Sequence, residues 1–172
     1  MVDIIPTENS FDENSFNDFT SKHNLVFPIE YLEYLKKYND ADLADNIVDN
    51  LNESISIRYF YGTTPEGYSN IDSVYEIFIE RMPPNCIPIA DAEAGNQVCM
   101  SLAPESYGKI YFWDHETMDT DYDEKCTLSL DKMLYLADSF SSLLDKILPY
   151  TDEQDYTKKN NILGKIKKLF FH

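Results

Sequence analysis

Five residues near the middle of the chain, Asp91, Glu93, Asp114, His115 and Glu116, carry the side chains from which a divalent-metal site or an acid and base pair is built. Carboxylates offer anionic ligands and proton acceptors, and an imidazole offers a nitrogen that titrates near neutrality. Against that chemistry, the chain has three histidines and no HExxH, and these residues fall where hydrophobic runs give way to polar turns. Acidic loops suit a chain already rich in Asp and Glu. Asp119, Asp121 and Asp123 alternate like the opening of a calcium loop. With Asp119 in the first position, the sixth should be Gly and the twelfth Glu, but they are Glu124 and Leu130, so the turn and the bidentate ligand are both missing. GxSxG, GxGxxG and the phosphate loop GxxxxGKS/T are absent. Ser139 reads as a helix cap, and Cys99, between Val98 and Met100, reads as a buried strand residue. No catalytic residue, metal ligand or cofactor is assigned.

What remains is binding, and charge sets its terms. The formal net charge is −17, made of −22 over residues 1–157 and +5 over residues 158–172. A body this acidic repels nucleic-acid phosphate and attracts basic partners over long range, which excludes direct DNA or RNA binding by the body. The 13 Tyr, 10 Phe and single Trp suit both a packed core and a contact surface. Trp113 fits under a helix or on such a surface, and the core is the expected place.

The elements that must position these residues follow from periodicity. Phe16 and Phe19 recur at helical spacing in 12–23, with Asp12 or Ser15 as cap. Pro28 opens a second helix in which Tyr31, Leu32, Leu35 and Tyr38 share a face. Residues 54–61, SISIRYFY, alternate as a strand closed by Gly62. A helix is expected over 71–82, stopped by Pro83-Pro84, then strands over 87–90, 97–102 and 109–113, with turns at Gly95-Asn96 and Tyr107-Gly108. Alternation puts Lys109, Tyr111 and Trp113 on one face and Ile110, Phe112 and Asp114 on the other. Residues 119–125 form an acidic loop and 134–137 a further strand. Ser139 caps a last helix with a stripe of Phe140, Leu143, Leu144, Ile147 and Leu148. Residues 1–11 are polar and aperiodic, a flexible lead-in.

Three segments together resemble the SUKH superfamily, the domain of yeast cell-wall-assembly regulators and of many bacterial immunity proteins. They are IPIADAEAGNQVCMSLAPESYGKIYFWDHE from Ile87 to Glu116, FPIEYLEYLKKYND around Pro28, and LADSFSSLLDKI near the end. One departure stands out: the turn after Tyr38 reads Asn39-Asp40-Ala41-Asp42, where the superfamily carries glycines. The resemblance implies a single α+β domain over residues 12–149, a central antiparallel or mixed sheet flanked by helices. It also implies a non-enzymatic immunity protein that binds and neutralises a cognate bacterial toxin, a protein with a basic surface. The contact residues expected on that reading are Asp91, Glu93, Asp114, Glu116, Asp119, Asp121 and Asp123, with Asn96 shaping its loop. A scaffold in cell-wall or envelope regulation is the first alternative, and a metal-dependent hydrolase using Asp91, Asp114 and His115 the second.

The C-terminal extension, 150–172, ends in a basic amphipathic segment. Ile162, Leu163, Ile166, Leu169 and Phe170 fall on one helical face and Lys158, Lys159, Lys165 and Lys168 on the rest. Such a helix docks on the acidic body of its own chain, on a partner, or peripherally on an anionic membrane. Cys86, Cys99 and Cys126 form no CxxC pair and read as reduced thiols. The sequence MVDIIPTENSFD has neither a basic n-region nor an apolar h-region, so no signal peptide is expected, and the location expected is the cytoplasm.

Overall fold

The computed structural model describes residues 2–44, 46–50, 53–65, 67–115 and 129–148. Helix α1, Glu13–His23, starts where the Asp12 carboxylate accepts the Asn14 and Ser15 amides at 3.0 and 3.1 Å, and stops at Asn24 in the left-handed region. Helix α2, Ile29–Tyr38, follows Pro28, whose fixed φ prepares the first turn. Helix α3, Ile71–Phe78, is capped by Asn70, and α4, Phe140–Lys146, by Ser139. Glu30 of α2 accepts the Phe140 amide (2.9 Å) and the Ser141 hydroxyl (2.6 Å), so a carboxylate of one helix ties down the N-terminus of another.

The strands are β1 (Ile4–Pro6), β2 (Ala41–Leu43), β3 (Ile47–Asn50), β4 (Glu53–Phe60), β5 (Cys86–Ala92), β6 (Gln97–Ser101), β7 (Ile110–Trp113), β8 (Leu134–Ala137) and β9 (Ile147–Leu148). They form one nine-stranded sheet in the order β1-β2-β4-β5-β6-β7-β8, and every strand pairing is antiparallel. β4 carries two strands on one edge: β2 pairs with Tyr59 and Phe60, β3 with residues 53–56, and β9 adds to the outside of β3. The α+β single-domain architecture is the expected one.

Besides β2 and β3, which lie where no element was expected, three elements depart from expectation. Ile4–Pro6, within the segment read as a flexible lead-in, pairs with Ala41–Leu43. The helix expected over 71–82 is regular only to Phe78. A turn in which the Arg81 and Met82 amides both reach Phe78 O then drops Met82 into the core. The last helix ends at Lys146, and Ile147 and Leu148 leave its stripe to pair with Val48 and Ile47. Pro149 explains that stop, because the residue before a proline is pushed toward extended backbone.

The main core lies between the sheet and helices, where Tyr34, Tyr31 and Phe60 meet the Phe140 ring at 4.8, 5.0 and 5.4 Å. Opposite strand residues form a second, smaller cluster of Met82, Cys86, Cys99, Trp113 and Met133. The alternation expected for residues 110–113 holds, with Ile110 and Phe112 in the first cluster and Trp113, fully buried, in the second. Among the described residues no helix is long and apolar enough to cross a membrane.

Candidate functional site

Strand register places six residues in one row on the same face as Trp113. Ile5 opposes Asp42, Asp42 opposes Tyr59, Tyr59 opposes Asp91, Asp91 opposes Gln97, and Gln97 opposes Trp113. The row runs from solvent to core: Ile5 and Asp42 are exposed, Tyr59 is half-buried, and Asp91, Gln97 and Trp113 are buried.

Of the carboxylates picked from sequence, Asp91 is an internal group, only 7% exposed. Its Oδ2 lies 3.0 Å from Arg58 Nη1, and the Arg58 guanidinium also stands 5.8 Å from the centre of the Tyr59 ring. Tyr61 donates to Gln97 Oε1 at 2.7 Å and sits 3.5 Å from Asp91 Oδ1, and Gln97 donates to Gly95 O. Burial raises the Asp91 carboxyl above its ordinary range, with Arg58 acting against it. Burial, then the nearby Asp91 charge, pushes Tyr59 up to about 12.

Glu93 is exposed, in the 3-10 turn linking β5 to β6, where Ala94 and Gly95 both take positive φ. Asn96 links the start of β6 to the residues after β7. Its Oδ1 accepts the His115 amide at 3.1 Å and lies 2.9 Å from His115 Nδ1, while Arg81 donates to His115 O at 3.1 Å. Asp114, half-buried, follows Trp113 on the same turn. The structure thus brings Asp91, Glu93, Asn96 and Asp114 to one end of β5, β6 and β7. Glu116, Asp119, Asp121, Asp123, Cys126 and the basic segment 158–172 lie outside the described residues.

Asp91, Asp114 and His115 do not converge as metal ligands. Among the described residues the one group with that geometry is His23, Asp72 and Glu76, between α1 and α3. There Lys22 Nζ lies 2.8 Å from Glu76 and 3.4 Å from Asp72, so an ammonium already supplies the cation.

Sequence reasoning missed a second polar centre at the other end of the row. Asn39 (φ 52, ψ −124) and Asp40 form the turn where the superfamily carries glycine, and both side chains are buried. Asp40 Oδ1 accepts from Thr7, Asn39 and Thr64 at 3.0–3.1 Å, and Oδ2 from Asn9 and Ser69 at 3.2 and 3.0 Å. Asn39 Oδ1 takes the Thr63 amide and hydroxyl at 2.8 and 2.9 Å. Above this network opens a cleft of about 200 Å³, walled by Thr7, Asp42, Tyr59, Thr64 and Tyr68 among others. The one sequence signal for it was Asn-Asp in a glycine position.

The profile of the SMI1 / KNR4 family (SUKH-1) matches residues 10–146. The chain is also similar to the SPbeta prophage-derived uncharacterized protein YokK of Bacillus subtilis (strain 168), at 26% identity, with 74% of this chain and 72% of that protein covered.

Proposed function

This chain belongs to the SMI1 / KNR4 family (SUKH-1), and from that premise we propose that it is an immunity protein, binding and neutralising a bacterial toxin domain without catalysing a reaction. The observation that carries the reading is the open margin of the sheet face described above. There Asp42 is exposed beside Tyr59, Tyr68 and the buried Asp40, and Glu93 is exposed at the far end of the same row of strands. Carboxylates interleaved with tyrosines suit a basic protein surface: the charges steer encounter, and the rings supply contact area at small entropic cost. A toxin that works on nucleic acid presents such a basic surface, and an acidic face competes for it. The prophage origin of YokK suits a gene that travels with its toxin. By the same reading the protein acts in the cytoplasm, where the toxin arrives.

The test is rescue. The C-terminal domain encoded by the gene immediately upstream is expressed in a sensitive host with and without this chain. Relief of toxicity together with co-purification of the pair is expected. Toxicity that this chain fails to relieve, or a pair that does not associate, overturns the reading. Charge reversal at Asp42, Glu93 and Asp114 together should slow association, with the difference shrinking as salt is added.

A further inference from the structure

We propose that the cleft between Asp42, Tyr59 and Tyr68 is a guanidinium pocket that receives an arginine side chain of the protein partner. The inference rests on the partner-binding reading and adds the chemistry of its central contact.

The fold already holds one guanidinium in this way. Tyr59 is flanked in register by two carboxylates, Asp91 on β5 and Asp42 on β2. On the Asp91 side, Arg58 pairs with the carboxylate at 3.0 Å and lies over the Tyr59 ring. On the Asp42 side the same pairing of carboxylate and tyrosine is repeated, and among the described residues no lysine or arginine lines the cleft. Tyr68 stands over this side, 79% exposed, its ring 5.1 Å from that of Tyr59 and inclined at 68°. An exposed aromatic held edge-to-face by a second ring presents its own face to whatever enters.

The two aspartates of the cleft divide the work. Asp40 has five neutral donors around its two oxygens, which saturates a carboxylate's roughly four lone-pair sites, so it contributes negative potential and no further bond. Asp42, exposed at the cleft wall, is the acceptor. A planar fork that donates in pairs to a carboxylate and stacks on a ring meets these demands, and a hydrated ammonium does not.

The full chain, labelled at tyrosine and backbone, is titrated with N-acetyl-arginine methylamide and separately with the lysine analogue at 0.15 M salt, a level that screens diffuse charge. Saturable shifts of the Tyr59 and Tyr68 ring signals and the Gly67 amide are expected with the arginine probe, at roughly millimolar affinity. The lysine probe, and the arginine probe on Asp42→Asn or Tyr68→Ala, should bind at least about fivefold more weakly. Shifts scattered over the acidic surface without saturation, equal binding of both probes, or binding untouched by either variant would overturn the pocket. Rescue in vivo without arginine-probe binding removes this inference alone, and probe binding without rescue removes the toxin reading alone.

Discussion

Gly62 offers the sharpest test of how the Asn39–Asp40 turn is held. Its backbone closes β4 and anchors the next loop, accepting the Ile71 amide and donating to Ser69 O. A methyl group added at its Cα would stand 2.4 Å from the Asp40 amide nitrogen, 2.6 Å from Asn39 Oδ1 and 2.9 Å from Asn39 C. Two of those neighbours are backbone. The third is a side-chain oxygen fixed by two hydrogen bonds from Thr63, so none can swing aside cheaply. Relief requires moving the turn, which carries Asp40 out of reach of its five donors. Overpacking of this kind costs about 3 kcal/mol. With a urea slope of about 2 kcal/mol per molar, Gly62→Ala should lower the unfolding midpoint by about 1.5 M with the slope unchanged. Gly67→Ala is the control: nothing lies within 4 Å of its added methyl, and its φ of +148° leaves only backbone strain, about 1 kcal/mol. Equal midpoints for Gly62→Ala and the parent, or a Gly67→Ala loss as large as that of Gly62→Ala, would refute the close approach.

Asn96→Ala removes both contacts to His115 and should cost about 1–2 kcal/mol, with faster exchange of the His115 amide than of the Val98 amide inside β6. Trp113→Ala empties the second cluster beneath Phe78 and Arg81, a loss of about 3–5 kcal/mol by denaturant titration. As the single tryptophan, Trp113 should fluoresce as a buried indole until the cooperative transition. The Asp91 carboxyl is raised in the folded state, so the native protein binds more protons than the unfolded chain from 3.8 up to that raised value, and this group's contribution to stability falls as pH rises through the window. Stability of Asp91→Asn relative to the parent should therefore increase with pH there, and the opposite slope would contradict the burial assigned to it. Cys86 and Cys99 are buried, and burial raises the Cys99 thiol further, so both should label with a thiol reagent only on unfolding, as read by peptide mass.

Elements with strong periodicity were legible in the sequence. Helices α1, α2 and α4 carry apolar stripes, strands β4 to β8 carry alternations or apolar runs bounded by polar turns, and the caps at Asp12 and Ser139 mark the starts of α1 and α4. Strands β1, β2 and β9 were not legible, because two or three residues cannot show a period of two, and the Ile-Val-Asp-Asn order of β3 neither alternates nor forms an apolar run. Two of them contain Pro6 and Asp42, residues depleted in strands, and their pairing is imposed by the edges of β4 and β2. The site divided in the same way. Asn96 and its neighbours lie close along the chain and were found as a group, whereas the Asp40 cleft assembles ordinary Thr, Asn and Ser side chains from positions 7, 9, 64 and 69. No spacing rule reaches across such separations. The burial of Asp91 was not legible, because its charge alone does not reveal that Arg58 and Tyr61 pack against it.

The pairing of β9 with β3 sets an order of events during synthesis. Ile47 and Leu148 are partners separated by about a hundred residues, and at translation rates of 5–20 residues per second the outer edge of β3 waits about 5–20 s for its cover. In that interval Ile47 and Val48 present unpaired amides and carbonyls in an apolar setting, the form in which a nascent chain adds to its neighbour on a polysome. The exposed Asp49 beside them is a gatekeeping charge on the waiting edge. Slow translation over the last third of the message would lengthen the vulnerable period, so the yield of folded protein should depend on codon usage there more than in the first third.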